Sequence, residues 1–262
     1  RQALDYHQQF HRLSAEAARE DSLNQMRQLQ QSFELEKEAR EKEVYRLKNI
    51  ELVQLNLQLE HALTQINDSI TYARRIQTII LPTEEQLRSR FADVCVFYLP
   101  RDIVSGDFYW MCALEDCTLL AVVDCTGHGV PGAFMSLLGY SLLNGIVREG
   151  RERKPAAILQ ALDAAVVEVL RQRDDESEVH DGMDIALICV EHERRALHYA
   201  GANLPLYHVR QGELTELAPD RHPIGGSHRL FEAKTFTGRT MAYEPGDALS
   251  LFSDGFKDQF GW

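Results

Sequence analysis

The first 81 residues contain neither glycine nor proline. Lacking the two residues that most readily end a helix, and rich in Gln, Glu, Leu, Arg and Ala, this stretch has the composition of one long helix. The positions Leu59, Leu63, Ile66, Ile70 and Ala73 recur by alternating steps of four and three, continue through Gln77 and reach Ile80. That alternation is the seam of a coiled coil. Upstream, Leu52, Leu55, Leu59 and Leu63 step by three, four and four, a stutter that locally unwinds a supercoil. Phe10, Leu13 and Ala17 keep the spacing nearer the start, whereas residues 34–43 are mostly charged and read as solvated. Such a helix either packs on its own domain or forms a dimerising stalk. Persistence of the pattern beyond ordinary globular lengths favours the stalk. Residues 1–81 are therefore assigned to a helical coiled-coil stalk, and residues 82–262 to a second domain beginning at Pro82.

Beyond Pro82 the pattern changes to short β-branched and aromatic runs separated by turn residues. VCVFYL, GDFYWM and TLLAVV read as strands. Helical spacing follows from Pro131 to Val147 and from Pro155 to Gln172, each opening on a proline where a missing N–H costs little. After the charged loop RDDESEVHDG, further strands are expected at MDIALICVE, ALHYAGA, PLYHV, ELTEL, AKTFTG and ALSLFS. Strands, a helix pair and then a meander of strands predict an α+β domain with antiparallel sheets, not a doubly wound parallel one.

The formal net charge is -12, and residues 1–90 are nearly balanced, with 13 Lys and Arg against 14 Asp and Glu. The excess acid lies downstream, which disfavours nucleic-acid binding and suits a soluble surface or a carboxylate-rich cation site. The five cysteines form no CxxC pair and mostly lie in apolar runs, as reduced thiols of a cytoplasmic protein would. No disulfide or zinc cluster is expected. No apolar run approaches bilayer-spanning length, and no signal-peptide pattern opens the chain.

Three aspartates stand where strands begin or end beside glycine: Asp107 in VSGDFYW, Asp124 in VVDCTGHG and Asp254 in LFSDGFKD. A single Asp-Gly pair is ordinarily a turn. Three carboxylates held at strand tips, with glycines that admit backbone carbonyls and water, form the kind of oxygen-rich site that hard divalent cations take. Two cations sharing a carboxylate make a hydrolytic centre.

The strings LPRDIVSGDFYW, VVDCTGHGVPGAFMS, DGMDIALICVE, LHYAGANLPLYHV, HPIGG and SLFSDGFKDQFG, in this order, resemble the stage II sporulation protein E-like branch of PPM-type metal-dependent serine/threonine protein phosphatases. The likeness runs from about Tyr72 to Trp262, and the stalk resembles helices that follow tetratricopeptide repeats in bacterial signalling proteins. The resemblance implies a four-layer αββα sandwich of two antiparallel sheets with two Mn²⁺ or Mg²⁺ ions at one end. It implies that Asp124 bridges both ions, that the backbone carbonyl of Cys125 is a neighbouring ligand, and that Asp107 and Asp254 bind as well. Water activated by the metals would attack phosphorus in line, so no nucleophilic side chain is required. Arg101 is a candidate for holding the substrate phosphate, or a surface arginine. His128 is a candidate proton donor to the leaving oxygen, or a histidine that fixes its loop. Asp184 reads as a strand-edge turn or an outer ligand, the other histidines as structural, and Tyr109 and Trp110 as core. Relatives continue past DQFG with a helix, a closing strand and an Asp-Asp pair. Since this chain stops at Trp262, its domain is expected to be incomplete at the C-terminus.

Two readings follow. The first is a protein phosphatase of a bacterial partner-switching pathway, acting on a phosphoprotein such as an anti-sigma-factor antagonist and dimerising through its stalk. The second is a catalytically weak signalling module that binds a phosphorylated partner. A nucleotide-processing metalloenzyme is weaker than either, because the chain has no Walker loop and no dinucleotide fingerprint.

Overall fold

The computed structural model describes residues 2–172, 180–226 and 234–256. They fall into two compact units, residues 1–66 and 67–262. Helix α1 spans Gln2–Ile80. In the first unit its charged faces carry i,i+4 pairs such as Arg12–Glu16 and Arg40–Glu36, while Leu59, Leu63 and Ile66 are exposed. Exposed pairs of this kind add only a few tenths of a kcal/mol each, so they do not replace burial of the seam.

The second unit takes in the last turns of α1, ahead of the domain edge expected at Pro82. The cause is Gln77, a seam position by spacing, whose buried side chain is bonded to the unit's own Ser105 and Ser136. Helix α2, Glu84–Arg88, opens on a capping box between Thr83 and Gln86. The strand expected at VCVFYL does not form: residues 94–100 join no ladder, and Phe97 and Leu99 are exposed. An extended run becomes a strand only beside a partner, and none of the described strands pairs with it.

Two strands then form a hairpin, β1 at Phe108–Ala113 and β2 at Thr118–Cys125, followed by helices α3, Gly129–Asn144, and α4, Pro155–Val169. A π-helical turn, Gly145–Glu149, extends α3. The rest is β3 at Gly182–Glu191, β4 at Ala196–Ala202, β5 at Leu206–Arg210, β6 at Glu213–Leu217, β7 at Ile224–Gly225, β8 at Arg239–Ala242 and β9 at Ala248–Ser250. A 3₁₀ turn, Asp254–Phe256, closes the described chain. AKTFTG joins no strand over residues 234–238, because the N–H and hydroxyl of Thr237 bond the Asp220 carboxylate in place of a ladder. Most of RDDESEVHDG and of DQFG lies outside the described residues.

Among the described residues the named strands pair antiparallel, in one sheet of order β1-β2-β3-β4-β8, with β7 also on β3, and a second of order β6-β5-β9. Strand alternation divides the core. Phe108, Trp110, Leu119, Val123, Ile185 and Leu187 face α3 and α4, where Leu143, Ile158 and Leu162 are wholly buried. Ala186, Ile188, Leu197 and Tyr199 pack with Leu206 and Leu217 of the other sheet. The described residues thus supply one helix layer and both sheets of the four layers expected. Contrary to the sequence expectation, one segment among the described residues, Gly129–Glu149, is by length and composition apolar enough to cross a bilayer. It is apolar because it lies on the sheet, burying Leu143 and Val147 completely.

Candidate metal centre

Parity along β2 and β3 decides where the carboxylates go. Val123 and Cys125 face the helix side, so Asp124 between them faces the other way, as does Asp184 beside Ile185. Register then brings distant residues together. Asp124 stands opposite Asp184, and pairing of Phe108 with Val123 places Asp107 opposite Asp124 on the far side. On β3's other neighbour, pairing of Ile185 with Ala202 puts Asn203 beside Asp184, and its amide donates to Asp184 Oδ1 at 2.8 Å. Three carboxylates and an amide thus form one row across four strands. Asp254 joins from the 3₁₀ turn, its backbone N–H reaching Asp124 Oδ2 at 3.4 Å, while the hydroxyl of Ser253 donates to Asp107 Oδ2 at 2.6 Å.

The loops bearing Asp107 and Asp124 are clasped through glycine. A Cβ on Gly132 would lie 2.6 Å from the Gly127 carbonyl oxygen and 3.0 Å from Gly106 Cα, and one on Gly106 would lie 2.8 Å from that same oxygen. Gly127 also has a φ of +84°, which a side chain resists. Thr126 ties the loop to the start of β3, where its hydroxyl bonds Asp181 Oδ1 and accepts from the Gly182 N–H at 3.0 Å. Asp107 is set from behind as well, its N–H donating to Ser105 Oγ at 3.1 Å.

Burial, then the charge of Asp107, then Asp254 push the Asp124 carboxyl up to about 8. Asp184 is also raised, by burial and by Asp254, against the opposing bond from Asn203. Carboxylates crowded this way lack positive charge, and a divalent cation is the counterpart they fit. They are neighbours and not a closed cage: among the described residues, no three or more His, Cys, Asp or Glu side chains are grouped to hold an ion. Any ion would complete its shell with backbone oxygen and water. The Cys125 side chain takes no part, since it is buried on the helix side with its thiol pushed up by burial. Only its backbone carbonyl lies toward the loops, near Gly106.

Arg101 is exposed and forms no ion pair among the described residues. His128 is exposed too, but its Nδ1 lies 2.9 Å from Asp102 Oδ2. Of the other histidines, His208 is buried against Asp247, and His198 lies between Glu191 and Thr240. Sequence reasoning passed over Asp102, Asn203, Ser253 and the inward role of Gln77. Ser253 adjoins a candidate ligand, and Asn203 becomes visible once β3 and β4 are set in register. For Asp102, sequence offers no signal beyond its nearness to Asp107.

The family model described as Stage II sporulation protein E (SpoIIE) matches residues 115–260. Among solved structures, the SiaA-PP2C domain of Pseudomonas aeruginosa superposes with a TM-score of 0.66 at 36% identity, covering 77% of this chain and 76% of that one. A structure of the PP2C phosphatase domain and a fragment of the regulatory domain of the cell fate determinant SpoIIE from Bacillus subtilis has a TM-score of 0.46 at 21% identity, covering 58% and 42%. A Stage II sporulation E family protein from Thermanaerovibrio acidaminovorans has a TM-score of 0.44 at 20% identity, covering 59% and 82%. No curated protein sequence gives a match.

Proposed function

Because the chain belongs to the Stage II sporulation protein E family, we propose that it is a metal-dependent serine/threonine protein phosphatase of a partner-switching pathway. The observation that carries this reading is the row of Asp107, Asp124 and Asp184, with Asp124 pushed up to about 8 by burial and by the neighbouring carboxylates. Asp124, Asp107 and Asp254, with the Cys125 carbonyl, would hold Mn²⁺ or Mg²⁺. Bound there, two such ions would activate water and neutralise charge on the phosphoryl group. Arg101 is without an ion pair among the described residues, which suits it to take a phosphate in its planar fork. His128, on the loop that follows Asp124, would protonate the leaving serine or threonine oxygen.

The substrate is a phosphorylated protein, in this reading an anti-sigma-factor antagonist-like one, and the setting is the cytoplasm. The stalk makes a homodimer, since Leu59, Leu63 and Ile66 are exposed and in heptad phase. A second reading is a catalytically weak module that binds a phosphoprotein. Turnover of a phosphoserine peptide with Mn²⁺, its loss on chelation, and its absence in a folded Asp124→Ala variant support the first reading. A wild-type chain that binds the peptide without turning it over favours the second.

A further inference from the structure

We propose that Asp102 is a positioning residue for His128, holding the imidazole as the proton donor to the leaving group. The inference rests on the phosphatase reading and deepens it. His128 occupies the N-cap of α3, with extended backbone at φ -128° and ψ 170°. Ser, Thr, Asp or Asn at that position would satisfy an orphan N–H and add about 1 kcal/mol. His128 makes no such capping bond. Its ring turns away from the helix to Asp102, at 2.9 Å. Asp102 lies five residues before Asp107, and His128 four after Asp124, so the pair spans the same two loops that Gly106 and Gly127 clasp. The next residue, Gly129, has a φ of +64°, and a Cβ there would stand 3.6 Å from Asp102 Oδ2. The backbone is thus shaped to bring this carboxylate against this ring.

An exposed pair is worth at most about 1 kcal/mol, and both partners are well exposed, so stability gives little account of it. Chemistry gives more. With the Nδ1–H donated to Asp102, the carboxylate fixes the ring, leaving Nε2 to carry a proton toward a substrate. In the reaction a water oxygen bonds to phosphorus as the bond from phosphorus to the seryl oxygen breaks. The electron pair of that bond goes to the seryl oxygen, and the Nε2 proton moves to it, giving the free hydroxyl. The proton that the attacking water releases to solvent is balanced by the one His128 takes back.

The test compares two leaving groups in the full chain with Mn²⁺: a phosphoserine peptide, whose alkoxide needs a proton, and p-nitrophenyl phosphate, whose phenolate does not. Asp102→Asn should lower kcat on the peptide about ten-fold, a share of the 10²–10⁴ that a general acid supplies, with KM little changed and a several-fold smaller loss on p-nitrophenyl phosphate. Asp102→Glu should recover part of it, and Asp102→Asn should add nothing in a His128→Gln background. In the metal-free chain, ¹⁵N imidazole shifts should report the proton of neutral His128 on Nδ1, and lose that preference in Asp102→Asn. Equal losses on both substrates, additive losses in the double variant, or an unchanged tautomer overturn the role. A wild-type chain that turns over neither substrate overturns the phosphatase reading and this role with it.

Discussion

Gln77 Nε2 donates to the Ser105 carbonyl oxygen at 2.6 Å and to Ser136 Oγ at 2.8 Å, while the Ser105 N–H returns a bond to Gln77 Oε1 at 3.0 Å. One amide thus joins the end of α1 to the segment before Asp107 and to α3. Replacing Gln77 with Leu keeps the bulk and leaves backbone groups of Ser105 unpaired, a cost of about 1–3 kcal/mol. Since Ser105 Oγ in turn holds the Asp107 N–H, the variant should lose Mn²⁺ affinity along with stability. Calorimetric titration alongside a urea melt checks both; equal Mn²⁺ affinity in the two chains would uncouple the helix from the carboxylates.

Asp124→Asn should stabilise the metal-free chain while abolishing turnover. The folded chain holds this carboxyl at about 8, against roughly 3.9 when unfolded. Its charge therefore opposes folding, increasingly as pH rises from 4 to 8. An amide carries no such charge. At pH 8 in chelator the variant should be more stable by about 1–2 kcal/mol, discounted for partial exposure, and at pH 4 the difference should vanish. A variant that melts below wild type at pH 8 would contradict this.

The antiparallel α+β plan and seven of the nine described strands were legible, because alternation and turn residues are local signals; the short strands β7 and β8 were not expected. VCVFYL and AKTFTG failed for a shared reason: a ladder needs a partner, and nothing local to the run says whether one is present. Asp107, Asp124 and Asp254 stood out in the sequence through the glycines beside them. That Asp107 and Asp124 share one row with Asp184 and Asn203 was not legible, since register is a relation between strands. Gln77 misled because a heptad position and an inward-facing position look alike on a helix.

Gly132→Ala should destabilise the second unit by about 3 kcal/mol or more, in the range of core overpacking. Its Cβ would meet backbone on two sides, the Gly127 oxygen and Gly106 Cα. Gly145→Ala, where a Cβ would meet nothing within 4 Å, is the matched control and should be neutral or better. Thermal melts of the two variants decide it.

Acid should loosen the edge near β9 through Asp247. Bonds from Arg210, aided by the Glu244 N–H and His208, hold its carboxylate well below the usual range despite burial. A depressed folded value means that the stabilisation is complete above the unfolded pKa of roughly 3.9 and fades as pH falls through the folded one. Asp247→Asn should therefore lower the urea midpoint at pH 7 and lower it progressively less below pH 4. A deficit that does not change with pH would assign the effect to packing.

Lysines at Leu63 and Ile66, both at least half exposed in the single chain, should convert a dimer into a monomer measured by light scattering. The fold of the second unit should be retained, because neither residue belongs to it. A dimer that persists would move the contact elsewhere.

The row of Asp107, Asp124 and Asp184 depends on counting as much as on chemistry. Substitutions within β1 to β3 leave the count intact, whereas one residue gained or lost inside β2 would turn Asp124 into the helix-side core and carry Cys125 out of it. Descendants of this gene should therefore accept length changes in the turn between Ala113 and Thr118, outside both strands, and reject them in the ladder. Insertions scanned through residues 108–125 would trace that boundary directly, as a step from folded to unfolded variants at the strand ends.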